Sequence, residues 1–150
     1  MTFKEKIIHH YNQQIQDKID AFQDMISALT EDSKNDAKGS AGDKHETALS
    51  MMHIEQEKLN YKLQEFLESK TLFSAIDFNK VSDKVIIGSL VQANENYFLI
   101  SIALSKITID GKTIFGISPQ SPLAMKLLGN KTGNTFAVNT SNYEIKQIVS

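Results

Sequence analysis

The 150-residue chain has no cysteine, so neither a disulfide nor a thiolate metal site is possible. It has no arginine either; all sixteen basic residues are lysine. Bidentate guanidinium readout of phosphate or guanine is therefore excluded. A net charge of −2 argues against tight autonomous binding to DNA or RNA. No run reaches the roughly 18 apolar residues of a membrane helix. Met1-Thr2-Phe3-Lys4-Glu5 opens a mixed polar segment unlike a signal peptide. The expectation is a cytoplasmic protein with no membrane partner.

Catalytic signatures are also missing. Gly39 and Gly42 precede no lysine-serine pair, so there is no phosphate loop. Ser89, Ser101, Ser105 and Ser121 lack a nucleophile-elbow context. His9 and His10 are adjacent, and His45 and His53 are eight apart. None has the four-residue spacing of a helical zinc site. The reading is a protein with no self-contained active site, not an enzyme in its own right.

What is present divides into two textures. Residues 1–70 contain no proline. Apolar residues there run Phe3, Ile7, Ile8, Tyr11, Ile15, Ile19, Phe22, Ile26, Leu29. Steps of three and four predict an amphipathic helix, and Thr2 with Glu5 reads as a capping box at its start. A second series, Leu49, Met52, Gln56, Leu59, Leu63, Phe66, Lys70, is heptad-like with a polar break at Gln56. Between the two, residues 30–47 hold no large apolar side chain, and part of this stretch extends the first helix. Two helices with facing stripes predict an antiparallel coiled-coil hairpin over residues 1–74.

From Phe78 the chain turns β-branched and aromatic. Val85-Ile86-Ile87, Leu90-Val91, Tyr97 to Ala103, Ile107 to Ile109, Ile114 to Ile117, Thr135 to Val138 and Tyr143 to Ile148 read as strands. Asp110-Gly111 is a strong hairpin signal. Residues 121–128 read as a short helix: Ser121 suits an N-cap, Pro122 the first helical position, and Gly129 a left-handed exit. Residues 78–150 therefore predict a small antiparallel-sheet domain carrying one helix, making the whole chain α+β. Tyr97, Phe98 and Phe115 are read as core, not as a stacking platform for bases. Charge follows the same division. Residues 1–70 hold nine lysines against thirteen acids, and residues 71–150 seven against five. An acidic part joined to a mildly basic one suggests two functional parts.

One constellation could carry chemistry. Asp43 and Glu46 stand three apart at the expected start of the second helix, on one side of its first turn. Two carboxylates there could share a hard cation such as magnesium with oxygen ligands from a partner. The same residues would also serve as an N-cap and its N3 partner.

Three segments, in order, resemble the bacterial Gre-type (GreA/GreB) transcription elongation factors. Gly42-Asp43-Lys44-His45-Glu46-Thr47-Ala48 resembles the family's G-D-x-x-E-N-A. Ala75-Ile76-Asp77 with Val85-Ile86-Ile87-Gly88-Ser89-Leu90-Val91 resembles its linker and first C-terminal strand. Ser121-Pro122-Leu123-Ala124 through Leu127-Leu128-Gly129-Asn130-Lys131-Thr132-Gly133 resembles its S-P-L-A-x-x-L-L-G-x-K-x-G. The resemblance implies a coiled-coil hairpin and an FKBP-like domain, the latter docking on RNA polymerase through a surface that includes Ser121, Pro122 and Leu123. It implies that the hairpin enters the polymerase secondary channel. There Asp43 and Glu46 would hold a magnesium ion shared with the polymerase, which then cleaves the 3′ end of backtracked nascent RNA. An FKBP-like fold does not imply prolyl isomerase activity. The chain departs from the pattern at Thr47, where the family usually has Asn, and at Leu49-Ser50, where an acidic-aromatic pair is common. Only Lys34, Lys38 and Lys44 lie near the tip. A secondary-channel regulator or inhibitor that does not cleave, and an unrelated interaction module, are the alternative readings.

Overall fold

The computed structural model describes the backbone over residues 1–39 and 43–149, and side chains over 1–32 and 46–149. Helix α1 (Phe3–Gly39) and helix α2 (Asp43–Ser74) come first. Strands β1 (Leu90–Ala93), β2 (Asn96–Ile100), β3 (Leu104–Ile109) and β4 (Lys112–Ile117) follow. Helix α3 (Pro122–Leu127) and strands β5 (Thr135–Val138) and β6 (Ser141–Val149) complete the α+β chain. The chain forms two compact units: Met1–Asn12 with Leu72–Ser150, and Gln13–Thr71. The hairpin expected over residues 1–74 thus contributes its two chain ends to the sheet unit.

In the hairpin unit the two sequence stripes meet. Ile15 and Ile19 are buried, and Phe22, Ile26, Leu29, Leu49, Met52, Leu59, Leu63 and Phe66 are half-buried. The Phe22 and Phe66 rings pack edge to face at 5.2 Å. The Lys18 and Lys62 ammoniums lie 5.5 and 5.9 Å from the Phe66 ring centre. Full burial of an aliphatic side chain such as Ile19 contributes about 1.5–3 kcal/mol, so the seam outweighs the surface charge pairs.

In the sheet unit the capping box forms in both directions. The Thr2 amide donates to Glu5 Oε2, and the Glu5 amide donates to Thr2 Oγ1, each at 3.1 Å. Ile7 and Tyr11 are fully buried. The Tyr11 hydroxyl donates to the Ser105 carbonyl at 2.8 Å, and its ring meets Phe73 edge to face at 6.4 Å.

The six strands form one sheet in the order β3-β4-β2-β1-β6-β5. The sheet is mixed, which corrects the antiparallel expectation: β2 and β4 run parallel, with Phe98 opposite Phe115. Burial explains the exception. Ile114 and Gly116 of β4 are buried, whereas Ser105, Lys106 and Thr108 of β3 are exposed. The polar strand takes the edge and the apolar one takes the slot beside β2. A tight turn with positive φ at both Asp110 and Gly111 joins β3 to β4, as a type I′ hairpin requires. Since β3 is antiparallel to β4, this order leaves β4 parallel to β2.

Two other expectations are corrected. Val85-Ile86-Ile87 is not a strand, and the first strand starts at Leu90. The Val85 amide donates to the Asn130 carbonyl and its carbonyl accepts from Gly129, both at 2.9 Å. The Ile86 amide donates to Ser89 Oγ at 2.9 Å. These bonds tie the segment to the exit of α3, and Val85 plugs the core beneath Ala124 and Leu127. The strand read from Tyr97 to Ala103 stops at Ile100. The Ser101 amide there donates to the Ile117 carbonyl at 2.8 Å. Tyr97 and Phe98 are buried and Phe115 is half-buried, as the core reading expects.

Candidate functional site

Helix α2 begins at Asp43. Glu46 stands in its first turn and is exposed to solvent. The side chain of Asp43, like those of Lys34, Lys38, Lys44 and His45, lies outside the described residues, as do residues 40–42. The distance between the two carboxylates therefore falls outside the described residues as well. Thr47 is exposed and Leu49 half-buried, so Leu49 faces the seam. His9, His10 and His53 are exposed. Among the described residues no three His, Asp or Glu side chains gather into a group able to hold a metal ion. No helix among them is long and apolar enough to cross a membrane.

The second candidate region is the segment from Ser121 to Gly133, and the structure supplies a physical reason for most of its residues. Ser121 Oγ accepts from the Ala124 amide at 3.2 Å and donates to the Ser118 carbonyl at 2.8 Å. This closes the first turn of α3. Pro122 fills the first helical position, where its missing N–H removes no intrahelical bond. Ala124 and Leu127 are fully buried, and Leu123 and Leu128 pack half-buried against the same core. Gly129 and Gly133 have φ of 82° and 92°. Their amides donate to the Val85 carbonyl at 2.9 Å and the Ile145 carbonyl at 2.8 Å. Lys131 pairs with Asp83 at 3.5 Å across exposed surface, a contact contributing at most about 1 kcal/mol.

Of the three expected docking residues, Ser121 caps the helix, Leu123 is partly spent on the core, and Pro122 is exposed. Met125 and Lys126 are exposed beside it, Met125 retaining 67% of its surface. Val81, at 84%, and Ile87, at 49%, are also exposed apolar residues of this unit. Sequence reading passed over Met125. The signal was available: in a helix whose Ala124 and Leu127 point inward, position 125 points away.

The sequence also conceals a buried cation. Lys4 is only 7% exposed, and its Nζ donates to the Phe78 carbonyl at 2.6 Å. Burial holds its pKa below the ordinary lysine value, while the nearby Asp77 charge partly restores it. Beside it lies a cavity of about 160 Å³ whose lining includes Thr2, Glu5, Asn79, Lys80 and Ser89. The acidic and basic groups around this cavity select no charge of ligand.

No protein-family model matches the chain, and no curated protein matches it. Among solved structures, that of the transcription factor Gfh1 matches over 93% of this chain and 93% of its own, at 14% identity and a TM-score of 0.36.

Proposed function

We propose that this protein is a Gre-type transcription factor that binds RNA polymerase, enters the secondary channel with its hairpin, and stimulates cleavage of backtracked RNA. The observation that carries the reading is the Ser121–Gly133 segment. Its family-like pattern folds as one capped helix with two left-handed glycines, on a sheet that follows a helical hairpin. Asp43 at the first position of α2 and the exposed Glu46 beside it support the tip assignment. Bound to the polymerase, the two carboxylates would complete the coordination of a magnesium ion that the polymerase also ligates. The ion would stabilise charge developing on the RNA phosphate and lower the pKa of the attacking water. The polymerase remains the nuclease.

A second reading, a regulator that binds the same channel without cleaving, is favoured by the few lysines near the tip and by Thr47, Leu49 and Ser50. Both readings require direct binding of the full chain to RNA polymerase. Met125→Glu tests the docking face. Because Met125 is two-thirds exposed, the substitution should leave the melting temperature within a few degrees of the parent's and weaken polymerase binding at least tenfold. Undiminished binding removes Met125 from the docking face; no binding by the parent chain removes both readings.

A further inference from the structure

In the hairpin unit, a half-buried hydrogen bond between two polar side chains interrupts the apolar series of α1 and α2. There Gln56 Nε2 donates to Thr30 Oγ1 at 3.2 Å, and the Thr30 hydroxyl donates to the Ile26 carbonyl of its own helix at 2.9 Å. The second bond uses the hydroxyl proton and leaves a lone pair facing α2, which matches the amide donor of Gln56. Both residues are half-buried. Lys70 Nζ also donates to Gln16 Oε1, at 2.7 Å, but that contact is exposed.

An apolar seam alone is permissive about register. One heptad to either side of Gln56 stand Leu49 and Leu63, both half-buried and apolar, and either could pack at the level of Thr30. A slip of seven residues would move α2 along α1 by about 10 Å. It would also separate Thr30 from Gln56 and leave both polar groups without each other. A single polar pair in an apolar seam is a known means of fixing register, at a cost in stability. We infer that the Thr30–Gln56 hydrogen bond is the register pin of this hairpin and thereby sets which residues α2 presents at its first turn, Asp43 and Glu46. Gln56 is then a positioning residue for the tip carboxylates. This functional consequence rests on the reading proposed above; the pin itself does not.

The absence of cysteine allows clean spin labelling of Ser27→Cys with Asn60→Cys, both exposed positions on opposite helices. Pulsed dipolar spectroscopy of the labelled full chain should give one narrow distance. Adding Thr30→Val with Gln56→Leu should broaden the distribution or add a second distance while raising the melting temperature. Thr30→Ser, which keeps the acceptor, should retain the parent distribution. A single unchanged narrow distance in the Thr30→Val, Gln56→Leu chain overturns the pin. On backtracked polymerase complexes, the same unlabelled variant should bind but stimulate cleavage at least tenfold less. Full cleavage alongside a broadened distance overturns the positioning role. If the parent chain binds without cleaving, the cleavage reading fails, and the distance measurement still decides the pin.

Discussion

Tyr11 shows how one residue ties the N-terminal segment to the sheet. Its ring is fully buried and its hydroxyl donates to the β3 carbonyl of Ser105. Burial pushes its pKa up to about 12, opposed by a backbone hydrogen bond at Gly116. A phenol whose folded pKa lies above its unfolded value of about 10 stabilises the fold fully below pH 10. That stabilisation is lost as pH rises towards 12. The loss is on the order of a few kcal/mol. Lys4 acts in the opposite sense: burial lowers its pKa, so raising the pH towards 10.5 relieves its cost. Tyr11→Phe separates the two. It should cost about 1–2 kcal/mol at neutral pH and flatten the decline between pH 10 and 12 in urea unfolding. A decline of unchanged steepness would assign it to another group. Gly88 makes a second residue-scale case. Its φ is 97°, and a Cβ there would meet the Asp77 carbonyl oxygen at 2.7 Å, whereas Gly111, at φ 74°, has open space. Gly88→Ala should therefore cost about 2–4 kcal/mol, against roughly 1 kcal/mol for Gly111→Ala. Equal losses would mean that the close approach to Asp77 is not what holds the glycine.

At the scale of elements, Ser121 decides whether α3 starts. Six residues cannot sustain a helix by propensity. Ser121→Ala should cost about 1 kcal/mol by chemical denaturation, while Ser121→Asn should cost much less. Equal losses for the two would mean that the Oγ bond to Ala124 contributes nothing. This helix was legible because cap, proline and glycine chemistry is local. The hairpin stripes were legible for a related reason: helical spacing from Phe3 to Leu29 reports the buried face directly. Val85-Ile86-Ile87 misled because β-branched apolar residues fit a buried loop as well as a strand. What decides between them is Asn130, 45 residues away, to which Val85 bonds. The parallel pairing of β2 with β4 depends on which strand of a hairpin is the more apolar, a comparison between strands that turn signals do not encode. Lys4 was hidden because lysine is ordinarily solvated. Yet it lies three and seven residues before Ile7 and Tyr11, on their face of the helix. For the candidate site, the local conformation of the 121–133 segment was legible, but which of the expected docking residues face solvent was not. Ser121 caps α3 and Leu123 is half-buried against the core, whereas Pro122 and Met125 are exposed.

For the whole molecule, the division of labour follows from composition. A chain without arginine or cysteine, and with an acidic N-terminal half, is poorly equipped to hold RNA or a metal alone. The function proposed above asks it instead to lend carboxylates to a partner that already holds both. The capping role expected of Asp43 and Glu46 and the metal role proposed for them separate chemically. Asn caps as well as Asp, and Gln replaces Glu in a capping box, whereas magnesium coordination relies on anionic oxygens. The most direct test adds the full chain to stalled, backtracked RNA polymerase complexes and measures binding together with shortening of the nascent RNA. The account predicts that the parent chain binds and accelerates cleavage, and that Asp43→Asn with Glu46→Gln binds equally well but leaves cleavage at the polymerase's intrinsic rate. Cleavage stimulated as strongly by the double variant, or a parent chain that does not bind the polymerase, would contradict it.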